Sequence, residues 1–182
     1  MTAAADSPEA SRTADCVVVM LGSNIEPERN LPLAVDELGS LGRIVAVSSV
    51  WQTAAIGDTN QADFCNAAVL LETLLSAEDL LSRLRAIEDR LGRIRDPRNK
   101  NAARKIDLDL AVLPGKQGMI AGKTFPDPDI VARVFLAVPL AEVDSQFRLP
   151  DGRCIRDVAR ELTARDADRL NLKRREDIAL TP

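Results

Sequence analysis

Apolar residues recur along this chain with two periods, and the switches between them mark out its elements. Residues 16–21 form a continuous apolar run of β-branched character, stopped by Gly22, Ser23 and Asn24, which predicts a strand. Between 28 and 38, Leu31, Ala34, Val35 and Leu38 repeat at helical spacing, closed by Gly39 and Gly42. Residues 44–51 predict a second strand, 53–62 a loop containing Gly57, Asp58 and Asn60, and 64–73 a third strand. Ser76 with Asp79 three residues on is a near capping box. The helix it starts carries Leu80, Leu81, Leu84, Ile87 and Leu91 on one face and ends at Gly92. Residues 106–113 make a fourth strand.

The order β-α-β-β-α-β is the ferredoxin-like arrangement: an α+β fold whose antiparallel sheet carries helices on one face. After Pro114 the pattern predicts a Gly-rich, hairpin-like piece, a short helix at 130–138 and a further helix at 154–162. Residues 1–15, rich in Ala and polar, are expected to be a flexible tail, 16–163 the folded domain, and 164–182 a charged, partly ordered extension.

A chain of 182 residues, 46% hydrophobic and 29% charged, suits one domain with a substantial core. The net charge of −4 argues against a general nucleic-acid binder. Histidine is absent, which removes imidazole acid–base chemistry and the usual zinc sites. Cys16, Cys65 and Cys154 lack metal-ligand spacing, and the apolar runs around Cys16 and Cys65 predict buried free thiols. No apolar run reaches membrane-spanning length and the N-terminal residues lack a signal-peptide core, so a cytoplasmic protein is expected.

Charge is concentrated in one place. Arg93, Arg95, Arg98, Lys100, Arg104 and Lys105 surround a single acid, Asp96, and lead straight into the fourth strand. There Asp107 and Asp109, two apart, point to the same face. Paired carboxylates suit Mg2+, which completes its shell with water and substrate phosphates, and guanidinium groups supply bidentate contacts to phosphate oxygens. The same spacing also fits the solvated face of an alternating edge strand. The apolar continuation through Leu110 and Leu113 favours a central, buried strand, on which acids are costly unless paired or metal-bound. A local site for a nucleotide polyphosphate is the resulting expectation.

Several motifs in register then suggest a family. They are Leu21-Gly22-Ser23-Asn24, Val47-Ser48-Ser49-Val50-Trp51-Gln52-Thr53 and Phe64-Cys65-Asn66-Ala67-Ala68-Val69. Gly92-Arg93-Ile94-Arg95, Ala103-Arg104-Lys105-Ile106-Asp107-Leu108-Asp109 and Arg133-Val134-Phe135-Leu136-Ala137-Val138-Pro139-Leu140 follow. Over residues 17–152 the chain resembles the 6-hydroxymethyl-7,8-dihydropterin pyrophosphokinases of folate biosynthesis.

The resemblance implies transfer of pyrophosphate from ATP to the hydroxymethyl group of a reduced pterin, with release of AMP. It implies that Asp107 and Asp109 bridge two Mg2+ ions and that Arg93 and Arg95 lie on a loop closing over the substrates. Glu88, Arg104, Leu110 and Arg133 fall at nucleotide-side positions. Phe64 and Phe135 match the aromatics that sandwich the pterin, with Asn66, Thr53 and Ile56 around it. Asn66 also suits the role chemically, since an amide offers both a donor and an acceptor to a ring edge. Small-molecule partners alone, no nucleic acid, no membrane and a monomer are implied. A paralogue for a related, methanopterin-type pterin and a non-catalytic nucleotide- or pterin-binding homologue are the alternatives.

The chain departs from the family pattern in three loops. Asn99-Lys100-Asn101-Ala102-Ala103-Arg104 stands where the family commonly has Arg-Trp-Gly-Pro-Arg, so a tryptophan that folds over the pterin is missing. Pro126-Asp127 replaces a Pro-His pair, and a carboxylate there repels phosphate unless a cation intervenes. Thr53-Ala54-Ala55 replaces Thr-Pro-Pro, which predicts a less rigid pterin-side loop.

Overall fold

Strand β1 (Asp15–Ser23) is the spine of the molecule, pairing antiparallel on one side with β4 (Phe64–Thr73) and on the other with β5 (Asp107–Val112). Its run is continuously apolar because both its faces are covered, Val17, Val19 and Leu21 in one core and Val18 and Met20 in another. The computed structural model describes residues 14–56, 61–95 and 102–182; residues 1–13 of the expected tail and the loop segment with Asp96, Arg98 and Lys100 lie outside them, while Asp15, expected in the tail, opens β1. Strands β2 (Arg43–Val47), β3 (Val50–Thr53) and β8 (Lys173–Arg175) complete the main sheet. Its order is β5-β1-β4-β3-β8, with β2 also on β4, the strand order of the expected ferredoxin-like fold plus one added strand.

Helices α1 (Pro27–Gly39) and α2 (Ala77–Arg90) cover one face through Leu31, Leu38, Leu80, Leu84 and Ile87. Ser76 accepts the Asp79 N–H at the start of α2, as the capping pattern predicts. Helices were expected on one face only. In the structure α3 (Val134–Val143) and α4 (Ile155–Asp166) cover the other through Val134, Ala137, Leu140, Val158 and Leu162. Helical periodicity shows that a face is buried but not against which side of a sheet.

The predicted second strand is two. Ser48 lies between β2 and β3, exchanging its N–H and hydroxyl with the Ala68 C=O (2.9 Å) and N–H (2.8 Å). Pairing against β4 shifts by one residue across this break, from Val47↔Val69 to Trp51↔Asn66, as a β-bulge does. Cys65 and Cys154 are buried, but Cys16 is exposed, because it sits at the outer end of β1 beyond the covering helices. Residues 164–182, expected as a charged and partly ordered end, carry β8, which pairs with β3, while Ile178 is buried in the α1–α2 core.

Strand β5, expected in the centre of the sheet, is its edge. Apolar residues on both faces report cover above and below, not neighbours on both sides. Its outer hydrogen-bonding positions are engaged without a strand partner. The Leu108 N–H donates to Glu88 Oε1 at 2.8 Å, and the Ala111 C=O accepts the Asp127 N–H at 2.9 Å. A short hairpin of β6 (Gly118–Ile120) and β7 (Lys123–Phe125) follows it.

Candidate active site

A single cross-strand row organises the site. Asp107 lies opposite Gly22, Gly22 opposite Asn66, and Asn66 opposite Trp51, so β5, β1, β4 and β3 each place one residue at the same level. Period-two alternation puts Asp109 with Asp107, and Phe64 with Asn66, on the face that α3 covers farther along. Gly22 leaves room for its neighbours: an added Cβ would come within 3.3 Å of the Asn66 side-chain oxygen, a tight approach, and 3.8 Å of the Asp107 Cβ, an ordinary contact.

The arginines arrive by a helix stop. Gly92, at φ +81°, takes the left-handed conformation after α2, and the Arg93 N–H returns to the Glu88 C=O at 2.9 Å, a Schellman-type ending. The turn brings Arg93 around the free edge of β5, where its guanidinium bridges Glu88 and Asp107. Arg95 pairs with Glu88 and Asp89. Arg104 donates to Asp107 Oδ2 at 2.6 Å and lies 5.7 Å from the Phe64 ring centroid, a cation–π distance. Ser23 and Asn24 are scaffolding: the Ser23 hydroxyl donates to the Lys105 C=O (2.6 Å) and Asn24 Oδ1 accepts the Arg104 N–H (2.7 Å).

These contacts set the charges. Burial alone would push the Asp107 carboxyl up, but the Arg93 and Arg104 guanidiniums outweigh it and hold it below the usual carboxylate range. Burial pushes Asp109 up, against the pull of Lys123, whose Nζ lies 2.5 and 2.6 Å from its two oxygens. Burial likewise raises Glu88, opposed first by the Leu108 N–H and then by Arg93.

Two cavities meet at Asp107. One, of about 390 Å3, is lined by Thr53, Ile56, Phe64, Asn66, Arg133 and Phe135 among others, and so gathers all the residues expected on the pterin side. Asn66 Nδ2 is buried with no hydrogen-bond partner among the described residues, an orphan donor at the cavity wall. The second cavity, of about 240 Å3, is lined by Glu88, Arg93, Arg95, Asp107, Asp109 and Lys123 among others.

Arg104 and Arg133 border the first cavity, not the second, and Arg133 lies 3.7 Å from Asp129. Leu110 joins neither, because its side chain is fully buried in the α1–α2 core and has no surface to offer a nucleotide. Lys123 was missed: a lysine opening a three-residue strand carries no signature in sequence.

The loop after β3 is anchored at its first residue. The Ala54 N–H donates to the Leu170 C=O at 2.7 Å, tying this wall of the cavity to the C-terminal segment. A proline there has no N–H to give. Ala54→Pro is therefore expected to cost roughly 1–3 kcal/mol, the price of a buried acceptor left unpaired. Chemical denaturation checks it, and stability equal to the parent would show that the bond contributes nothing.

Among the described residues no group of three or more His, Cys, Asp or Glu side chains could hold a metal ion. Two acids on one face are nevertheless what Mg2+ uses when phosphates and water complete its shell, so Asp107 and Asp109 fit that ion and not a cage-bound one.

The fold and these adjoining cavities define a class, an α+β domain in which a cleft lined by charged side chains adjoins a pocket walled by two phenylalanines. The family model for 7,8-dihydro-6-hydroxymethylpterin-pyrophosphokinase (HPPK) matches residues 18–145, and the chain belongs to that family. It is 37% identical over 140 residues to the 2-amino-4-hydroxy-6-hydroxymethyldihydropteridine pyrophosphokinase of Pseudomonas aeruginosa, covering 75% of this chain and 85% of that one. Its Methylorubrum extorquens counterpart is 34% identical over 153 residues, covering 82% and 95%. The fold matches wild-type Plasmodium falciparum HPPK-DHPS with a TM-score of 0.64 at 12% identity, over 92% of this chain but 48% of that one. This chain thus spans about half the length of those structures. Among the described residues no helix is long and apolar enough to cross a membrane.

Proposed function

We propose that this protein transfers pyrophosphate from ATP to the hydroxymethyl group of 6-hydroxymethyl-7,8-dihydropterin, yielding AMP and the pterin pyrophosphate in folate biosynthesis. The observation that carries this reading is the meeting of the two cavities at Asp107, where an acceptor in one reaches a phosphate in the other. Family membership and relatives named for the same step support it.

The chemistry follows from what must break. Releasing AMP requires the hydroxymethyl oxygen to attack the β-phosphorus, forming a new P–O bond as the bond to the α-phosphate oxygen breaks. The electron pair leaves with AMP and the hydroxyl proton passes to solvent. Asp107 and Asp109 would hold Mg2+, taken as two ions, which offsets charge on the attacking and leaving oxygens. Arg93 and Arg95 would face the phosphate chain from the α2 end, Arg104 reaches Asp107 from the first cavity, and Arg133 lines that cavity. Phe64 and Phe135 supply apolar faces for a flat ring, and the orphan Asn66 amide supplies a donor for its edge. Little covalent work falls to the chain; positioning and charge stabilisation dominate. A monomer with small-molecule partners, working in the cytoplasm, completes the reading.

Incubation with ATP, Mg2+ and the reduced pterin is expected to yield AMP one-for-one with pterin pyrophosphate, followed by chromatography. ADP as the sole nucleotide product, or no turnover, overturns the assignment.

A further inference from the structure

Lys123 is the one cation of the polyphosphate cleft that comes from outside α2 and its basic loop among the described residues. Its three ammonium donors meet both oxygens of Asp109, at 2.5 and 2.6 Å, and Asp127 Oδ2 at 3.1 Å. The hairpin presents it by a demanding turn. Ala121 at φ +50° and Gly122 at φ +78° both take positive φ, as a two-residue type I′ turn requires. Alanine gives up conformational energy there that glycine would not. Ala121, Gly122 and Lys123 all line the cleft, so the strained turn sits where the lysine is presented.

The acids it joins differ in access. The Asp127 side chain is 15% exposed and is further held by the Asp129 N–H on its other oxygen at 2.9 Å. The Asp109 side chain is 49% exposed. A cation arriving from solvent therefore meets Asp109, while Asp127 stays closed around the lysine. Asp127 on its own would repel a phosphate; with Lys123 bound it does not.

We propose that Lys123 is a positioning residue for the metal–polyphosphate complex: a built-in counter-ion that occupies Asp109, yields it to an incoming divalent cation, and stays on Asp127 facing the phosphates. This rests on the reading of Asp109 as a metal ligand. It has a signature that a purely structural lysine lacks, because removing the ammonium acts with opposite sign on two ligands. A divalent metal alone loses a competitor and gains an unpaired carboxylate, so it binds more tightly. A metal-bound triphosphate analogue, carrying net negative charge, loses an attraction and binds more weakly.

The test uses the full chain with Mn2+ alone, titrated by electron paramagnetic resonance of the free ion, and a non-hydrolysable ATP analogue at saturating Mg2+, followed by calorimetry. Lys123→Met is expected to tighten Mn2+ binding by about tenfold and to weaken the analogue by a similar factor, the scale of one charge at a few ångströms in partly screened surroundings. Unchanged or weaker Mn2+ binding in that variant, including no measurable binding in either protein, overturns the proposal.

If Lys123→Met does not fold, Asp127→Asn supplies the second reading. It leaves the lysine to Asp109 alone and is expected to weaken Mn2+ binding; unchanged or tighter binding overturns the proposal there too. Asp109→Asn separates the two levels. Mn2+ binding that survives in that variant removes the metal site itself. Binding lost in Asp109→Asn but unaltered in Lys123→Met removes only the role of the lysine.

Discussion

Asp107→Ala is expected to lower the rate of AMP formation at saturating substrates by at least roughly a hundredfold, the scale of losing a preorganised electrostatic group. That is about 2.7 kcal/mol of transition-state stabilisation. Three features make Asp107 the most sensitive position. Its carboxylate takes Arg93 on one oxygen and Arg104 on the other, so its loss removes an ion-pair partner from both guanidiniums at once. It lines both cavities, so no neighbouring side chain can substitute at the meeting point. Its ionised form is secured by those arginines, so Asp107→Asn, isosteric but uncharged, is expected to lose nearly as much. Asp109→Ala is expected to be comparably slow. Turnover is the measurement, with calorimetry showing whether the reduced pterin still binds. A variant at either position working at near-parental rate would count decisively against the acid pair as the centre of the chemistry.

Glu88→Ala is expected to be the most destabilising change at the site, by roughly 3 kcal/mol or more, as when a buried ion pair loses one member. The Glu88 side chain is 4% exposed, and it accepts from the Leu108 N–H while pairing with Arg93 and Arg95. Removing it leaves the Leu108 N–H without its acceptor and takes one of two carboxylate partners from each of Arg93 and Arg95, which keep Asp107 and Asp89. Against a domain stability of about 5–15 kcal/mol, such a loss is a large fraction. Urea denaturation measures it. Glu88→Gln, which keeps an acceptor for Leu108, is expected to recover part of the stability but not the position of Arg93. A loss below about 1 kcal/mol for Glu88→Ala would show that the carboxylate does not tie α2 to β5.

Much of this arrangement is legible in the amino-acid pattern, and the illegible part has physical reasons. The apolar run before Gly22 reads as a strand and the α2 face from Leu80 to Ile87 as helical, and both are so in the structure, but cover on both faces of the sheet was not legible. Two acids two residues apart must share a face of any strand, so the orientation of Asp107 and Asp109 follows from periodicity alone. Whether their strand lies at the centre or the edge does not, because burial by helices and pairing by strands give the same apolar composition. The break at Ser48 is equally hidden, since a serine in a strand and a serine replacing a strand bond look alike in sequence. Lys123 reaches Asp109 only through the handedness of the hairpin turn, a three-dimensional fact with no local motif. Leu110, placed on the nucleotide side by family likeness, has its side chain in the core, as its odd offset from Asp107 requires.

Because Asp107, Gly22, Asn66 and Trp51 share one rung of the ladder, the proposed acceptor recognition and phosphate handling are geometrically a single property of strand alignment. Sliding β1 by one residue would swing its Gly22 window toward α1 and put Leu21 or Ser23 between the acid and the amide. Such an error could not leave a partly competent catalyst that binds the ring yet mishandles the nucleotide. Correctly zipped molecules would carry both abilities and misaligned ones neither, so the specific activity of a preparation should count its properly registered sheets.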